Sequence, residues 1–516
     1  MFDTRDGAFQ GRGVAHIMRC AWRAKSEACV TSNENPARSR ATRLMTQGGD
    51  ARIVLDSATG LNRYFSAPRP SDTLAFASST ANDISPAAFA HVEQVLAAIS
   101  EDLGGAEYAQ RLEAVRARIR AAYALAEDVE IVFAPSGTDL EYVALACVEG
   151  QGEAGTHNIL LGAEEVGTGC IHSAFGRYFA EATALGIATQ AGAPVPGFGE
   201  TRVEMIDIPV RDAHGRPRPS AEIAAKMDDA IEAAAAAGRH VLVHVVHGSK
   251  TGLILPSLAD IDRIGARHGN HITLLVDACQ ARITAAAIAD YLDRGAIVFV
   301  TGSKFMGGPP FSGFALVPKS VAAAAPAIPY GLATIFRRAE WPPGWPGADG
   351  LPDSANPGLL LRLEAALFEL ERFQGLSLDA VTRVVLAFHA AVRKEIIEPT
   401  PARRVAPYPP GEREAADTHP IEMRTLSTLD LSGLGGGGAT FEDAGRWHKA
   451  LVARGVRLGQ PVKCVRLASG SWGATLRIGL SMPLVTERAA LSGEALDRAF
   501  RAEMVRVRES LLAVSI

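Results

Sequence analysis

Between residues 129 and 317 short apolar runs alternate with stretches of helical spacing. Runs rich in Val, Ile and Leu occupy 129–134, 158–163, 202–208, 240–246, 272–276, 296–300 and 313–317. Apolar positions three or four apart predict helices from about 138 and over 171–185, 219–238 and 256–268, with helix or loop at 283–292. Strands without polar alternation are buried on both faces, and the strand–helix alternation implies a mostly parallel sheet. Upstream lie two short extended pieces (52–60 and 73–83) and two helices, 85–103, opened by Ser-Pro, and 106–125. Downstream, 354–373 and 378–398 read as helices, and the Pro/Arg-rich 398–414 as a linker or surface loop. Residues 421–431, a Thr-capped helix over 440–455 and "ATLRIGLSM" (474–482) complete the pattern. The predicted fold is a three-layer α/β unit with helices on both faces of the sheet (51–380), plus a smaller C-terminal α+β domain (381–516). Segment 51–105 is placed so that it can pack on the smaller domain.

Residues 1–50 differ from the rest: they are Arg/Ser-rich and lack sustained apolar periodicity. They read as a disordered leader, or as a start assigned too early, with Met45 as the true one. Asp3, Asp6, Glu27 and Glu34 argue against a transit peptide, and no signal-peptide core is present. Charge changes the picture only by exclusion. With 52 Lys and Arg against 57 Asp and Glu, nothing favours nucleic acid or an anionic membrane as partner. No apolar run reaches the roughly 18–20 residues that span a bilayer. Six scattered cysteines without C-x-x-C pairs predict reduced thiols in a cytoplasm and no metal site.

Three motifs carry chemistry. In "IVFAPSGTDLEYVALAC" (131–147) a strand runs through Ser136, Gly137 and Thr138 into a helix, grouping hydroxyls and free backbone N–H as an anion site. In "ITLLVDACQAR" (272–282) a buried strand ends on Asp277, where ligands bind in open α/β sheets. In "VTGSKFMGGPPFSG" (300–313) a lone cation, Lys304, follows Thr301 and Ser303 at the next strand end. Burying an ammonium costs several kcal/mol unless something uses it. The 27 residues from Asp277 to Lys304 fit one helix and one strand, so both side chains can emerge at one sheet edge. Anion pocket, carboxylate and amine together suit pyridoxal 5'-phosphate, whose ring nitrogen must stay protonated and whose aldehyde takes an amine.

The chain here resembles the fold-type-I pyridoxal-phosphate enzymes, within them the class V aminotransferase and cysteine desulfurase group. Gly252, Pro256, Asp277 and Gln280 in "VVHGSKTGLILPSLADIDRIGARHGNHITLLVDACQARI" (245–283), then "TGSK" (301–304), carry the resemblance, which extends over about 54–485. It implies a Lys304 Schiff base, Asp277 on the pyridine nitrogen, Gln280 on the phenolic oxygen or the lysine, and Ser249 where the family often has asparagine. It further implies Ser136, Gly137, Thr138, Thr301 and Ser303 around the phosphate, and Arg477 on a substrate carboxylate. The active site would lie at a homodimer interface, with Ser354 or Asn356 reaching the partner's phosphate. Two departures stand out: "HGSKTG" (247–252) lacks that asparagine, and "NILLGAEEVGTGC" (158–170) puts Glu164, Glu165 or Val166 where the family stacks an aromatic ring or histidine on the cofactor. His172 falls further along.

The resulting expectation is a pyridoxal-phosphate-dependent enzyme acting on the amino group of an amino-acid-like substrate, of aminotransferase type. The alternative is a cysteine desulfurase or other C–S or Cβ lyase, with Cys464, 13 residues before Arg477, as the mobile thiol. A third is a scaffold that lost its cofactor. Loops at 54–85, 163–175 and 330–356 are expected to wall the pocket, the last, with Trp341 and Trp345, as a lid.

Overall fold

The computed structural model describes residues 39–167, 169–198, 202–409, 412 and 425–516. In chain order the strands are β1 (Leu74–Phe76), β2 (Glu130–Ala134), β3 (Gly155–Leu161), β4 (Val203–Ile208), β5 (Arg239–His247), β6 (Ile254–Leu255), β7 (Ile272–Asp277), β8 (Ile297–Thr301), β9 (Gly313–Val317), β10 (Arg403–Val405), β11 (Leu426–Asp430), β12 (Val456–Leu458) and β13 (Thr475–Gly479). Eight form one sheet in the order β2-β9-β8-β7-β5-β3-β4, with β6 added to β5. Neighbours from β8 to β4 run parallel, and β9 is antiparallel to both β2 and β8. Side chains alternate between two apolar layers. Ile131 and Phe133 of β2 enter one, Val132 and Ala134 the other, and β8 repeats this with Val298 and Val300 against Ile297 and Phe299. That two-sided burial is why these strands read as unbroken apolar runs.

The C-terminal unit is built on an antiparallel sheet, β10-β11-β13, covered by the helix Phe441–Ala453 and the long helix Gly493–Val514. Residues 74–76 pair in parallel with 456–458 of this unit. One core runs through both: Phe133, Leu476 and Phe500 belong to the same cluster.

Four expectations change. Residues 39–50 belong to the folded body: Ser39 caps the helix Arg40–Met45, whose Ala41 and Met45 are buried. The buried Arg362 donates to the carbonyls of Met45, Gln47 and Gly48 at 2.9, 2.7 and 3.1 Å, and this fixes the segment. Residues 1–38 lie outside the described residues. The helix expected over 171–185 is one turn, Cys170–Ser173. Gly176 then takes φ +65°, and Phe175, Tyr178 and Phe179 pack as an irregular loop against the second apolar layer. Within the stretch 398–414, residues 403–405 form β10, an edge strand on β11, so these three residues are part of the small sheet. The 330–356 region does not cover the site: Trp341 and Trp345 are 1% and 6% exposed inside the second apolar layer. Among the described residues, no single helix is long and apolar enough to cross a membrane.

Candidate active site

The C-terminal ends of β2, β5, β7 and β8 open on one cavity of about 490 Å³. Sheet topology alone gathers the motifs there. Asp277 is the last residue of β7, Thr301 the last of the adjacent β8, and Ser136, Gly137 and Thr138 follow β2. All of these, with Ser303, Lys304 and Arg477, line the cavity. Four of its lining side chains are cations (Arg52, Lys250, Lys304, Arg477) and one is a carboxylate, Asp277. Such a cavity suits an anionic ligand.

The Lys304 amine has neither a hydrogen-bond acceptor nor an ion-pair partner among the described residues; burial holds its pKa below the ordinary lysine value. Asn82 fixes its turn, donating to the carbonyls of Ser303 at 3.1 Å and Lys304 at 2.6 Å. Asp277 accepts from the Cys279 N–H at 2.9 Å. Thr301 donates to the Cys279 carbonyl at 2.6 Å, and Ser303 to the Thr301 hydroxyl at 3.3 Å.

The turn after β2 leads into the helix Leu140–Val148, whose N-terminus receives no side-chain cap; the Tyr142 N–H donates to the Asp139 carbonyl at 3.2 Å, which leaves the N–H groups of Leu140 and Glu141 for an anion. A Cβ on Gly137 would lie 3.0 Å from the Thr301 methyl and 3.2 Å from the Cys279 sulfur, so a larger residue in this narrow turn must push both side chains aside. Arg52 sits above this turn. It is paired in a fork with Asp50 and lies between the Phe179 and Phe311 rings, 3.4 Å from both the Ser136 and Thr138 hydroxyls. Ser136 donates to Asp139 at 2.6 Å, and burial pushes the Asp139 carboxyl up to about 7.

Arg477, on β13, is buried and its pKa is lowered to about 10 by desolvation. Its Nε donates to Gln460 O at 2.9 Å, Nη1 to Ser79 O at 3.0 Å and Lys250 O at 3.4 Å, and Nη2 to the Thr80 hydroxyl at 3.0 Å. A guanidinium has five N–H donors, so one is left for a ligand.

The remaining expected residues sit elsewhere. Gln280 lines a narrow cleft beside Lys304, its amide joining Ser79 O (3.2 Å) to Arg282 (2.8 Å). Ser249 lines the same cleft but turns its hydroxyl to Glu165 at 2.7 Å. Glu165 is buried against Arg211, and the wall expected to carry an aromatic ring is formed by Gly167 and Cys170. His172 is exposed. Asn356 caps the helix Pro357–Gln374 and donates to Gly48 O, and Ser354 is exposed; neither lines this chain's cavity. Cys464 is buried outside the cavity lining, its thiol pushed up to about 12 by burial.

Arg52, Thr80, Asn82 and Lys250 were not anticipated. For Lys250 a signal existed: like Lys304, it is a single cation in a Ser/Thr/Gly turn directly after a buried strand.

No protein-family model matches the sequence, and no curated protein matches it. Among solved structures the chain is similar to ureidoglycine–glyoxylate aminotransferase from Bacillus subtilis: 13% identity, 84% of this chain and 90% of that one covered, TM-score 0.48. It is also similar to serine palmitoyltransferase from S. paucimobilis with a bound PLP–myriocin aldimine: 12% identity, 83% and 85% covered, TM-score 0.45. Neither likeness bears on the activity of this chain.

Proposed function

We propose that the chain is a pyridoxal-phosphate-dependent enzyme that acts on the amino group of an amino-acid-like substrate, with aminotransferase chemistry. One observation carries this reading: a half-buried amine without a partner among the described residues, Lys304, faces a cation-lined cavity beside a carboxylate on the neighbouring strand end. The cavity residues fit the cofactor in kind, with an uncapped helix N-terminus and hydroxyls for a phosphate, Asp277 for a ring nitrogen and a desolvated amine for an aldehyde.

When bound, pyridoxal phosphate supplies an electrophilic aldehyde and an electron sink. The chain's own groups do the rest. Ser136, Gly137, Thr138, Thr301 and Ser303 bind the phosphate. The Asp277 carboxylate holds the proton on the ring nitrogen. Lys304, its pKa lowered by burial, would anchor the aldehyde and move a proton at the substrate α-carbon. Arg477 orients the substrate carboxylate. The chain works as a homodimer in which Ser354, exposed on its own subunit, reaches the second site.

The buried position of Cys464 outside the cavity favours transamination over desulfuration. Purified protein incubated with pyridoxal phosphate should turn yellow, and borohydride should fix the cofactor on the peptide containing Lys304. Lys304→Ala should take up no colour. An amino-acid panel with a keto-acid acceptor should show amino-group exchange, unaffected by Cys464→Ala. A colourless protein, or label on another lysine, sinks the reading, and sulfide release lost in Cys464→Ala would select the lyase instead.

A further inference from the structure

Lys250 lines both the main cavity and the cleft beside Lys304. It stands in the turn after β5, between Gly248 (φ +76°) and Gly252 (φ +96°). Its Nζ donates only to the Glu164 carbonyl, at 3.3 Å, and has no ion-pair partner among the described residues. The nearby carboxylate cannot serve it. Glu165 accepts from Arg211, from Ser249 and from both the N–H and hydroxyl of Thr251. The charged and titratable groups around Lys250 are Glu164 and Glu165 with Cys170 from the segment after β3, Arg477 from β13, Lys304 from the turn after β8, and Asp277 with Cys279 from the end of β7. An ammonium so placed has two donors to give, no counter-charge of its own, and an arginine as neighbour.

Arg477 has the complementary deficit. Four of its five N–H groups are spent on Gln460, Ser79, Lys250 and Thr80. A two-pronged grip on a carboxylate needs two N–H groups from one guanidinium, and only one is free. The second contact must come from elsewhere in the cavity wall.

We infer that Lys250 is a substrate-binding residue: its ammonium and the remaining Arg477 N–H form a two-cation seat for one carboxylate of the substrate. This rests on the proposed function for what the carboxylate belongs to, while the seat itself is built from side chains of the chain alone. The backbone couples the two prongs, since the Lys250 carbonyl accepts from Arg477. Desolvation, with Arg477 as the largest neighbouring charge, lowers the Lys250 pKa to about 8, so the seat empties of one charge in mild alkali.

The test uses propionate as probe, titrated calorimetrically into the full chain with and without cofactor. Wild type should bind propionate more weakly as the pH rises from about 7 to about 9.5, because Lys250 loses its proton across that range. Lys250→Met should weaken binding about ten-fold or more at neutral pH and flatten the pH profile. Lys250→Arg should retain binding with a flat profile, since a guanidinium stays charged. In the loaded enzyme Lys250→Met should raise KM for the amino donor. Equal propionate affinity in wild type and Lys250→Met, or an unchanged pH profile in Lys250→Arg, overturns the inference. The arginine variant decides the matter even if the methionine variant does not fold. Borohydride labelling of Lys304, read separately, decides the cofactor assignment, and propionate binding by cofactor-free chain remains measurable whichever way that falls.

Discussion

The turn that presents Lys250 is pinned by one buried ion pair, and breaking it is a quantitative test of the site's architecture. Glu165 accepts from Arg211 Nε at 2.6 Å, the Ser249 hydroxyl at 2.7 Å, the Thr251 N–H at 3.0 Å and the Thr251 hydroxyl at 2.9 Å. Arg211 also donates to Gly215 O and the Thr251 hydroxyl, both at 2.7 Å. The two side chains are 0% and 2% exposed. Glu165→Ala would leave a guanidinium out of water with only neutral acceptors, at a cost of about 3–5 kcal/mol. That is about a fifth or more of the roughly 5–15 kcal/mol that holds a typical protein folded. Glu165→Met with Arg211→Met removes both charges and should recover about 2 kcal/mol or more relative to the summed single variants. Urea unfolding followed by tryptophan fluorescence supplies the comparison. The pH sign follows from the balance at Glu165: burial raises its pKa, but Arg211 and the hydrogen bonds from Ser249 and Thr251 together hold it below the ordinary value of 4.5. Its stabilisation is therefore present above about pH 4.5 and is lost as the pH falls through the folded value, so wild type and Glu165→Ala should converge in acid. A single-variant cost under about 1 kcal/mol, or strictly additive costs in the double variant, would refute the view that this pair holds the turn.

Two further outcomes test the proposed phosphate cradle. Asp139 is raised from 3.8 to about 7, so wild-type stability should fall between those pH values and then level off. Asp139→Asn should be the more stable protein near pH 8, by up to about 4 kcal/mol, and indistinguishable near pH 4; urea midpoints at both pH values check this. Gly137→Ala pushes a methyl against Thr301 and Cys279 and should cost about 1–3 kcal/mol while weakening cofactor uptake, read by absorbance titration.

The strand-borne part of the site was legible because period and position are local. A buried apolar run announces a strand, and the residue just past it lies at the sheet edge, which placed Asp277, Lys304 and Ser136–Thr138 together. Arg52, Thr80 and Asn82 were not legible because they come from a segment with little pattern of its own; the long-range pairing of 74–76 with 456–458 brings in Thr80 and Asn82, and the fork with Asp50 holds Arg52. Ser249 was named by family analogy, and Lys250 was not considered. In the structure Ser249 is drawn into the Glu165 network while Lys250 lines the cavity. The expected helix at 171–185 failed where apolar spacing served the packing of Phe175 and Phe179 in a loop. The trailing helices Met482–Ala489 and Gly493–Val514 were passed over, since no motif drew attention to them.

The short passage from Ser79 to Asn82 has a mechanical consequence. Its first two residues hold the guanidinium of Arg477, and its last holds the backbone of Lys304. Any rocking of the C-terminal sheet over the larger unit must drag this four-residue tie along. The reach between Arg477 and Lys304 is thus set like a fixed gauge, and an opening motion can widen the entrance without retuning that span.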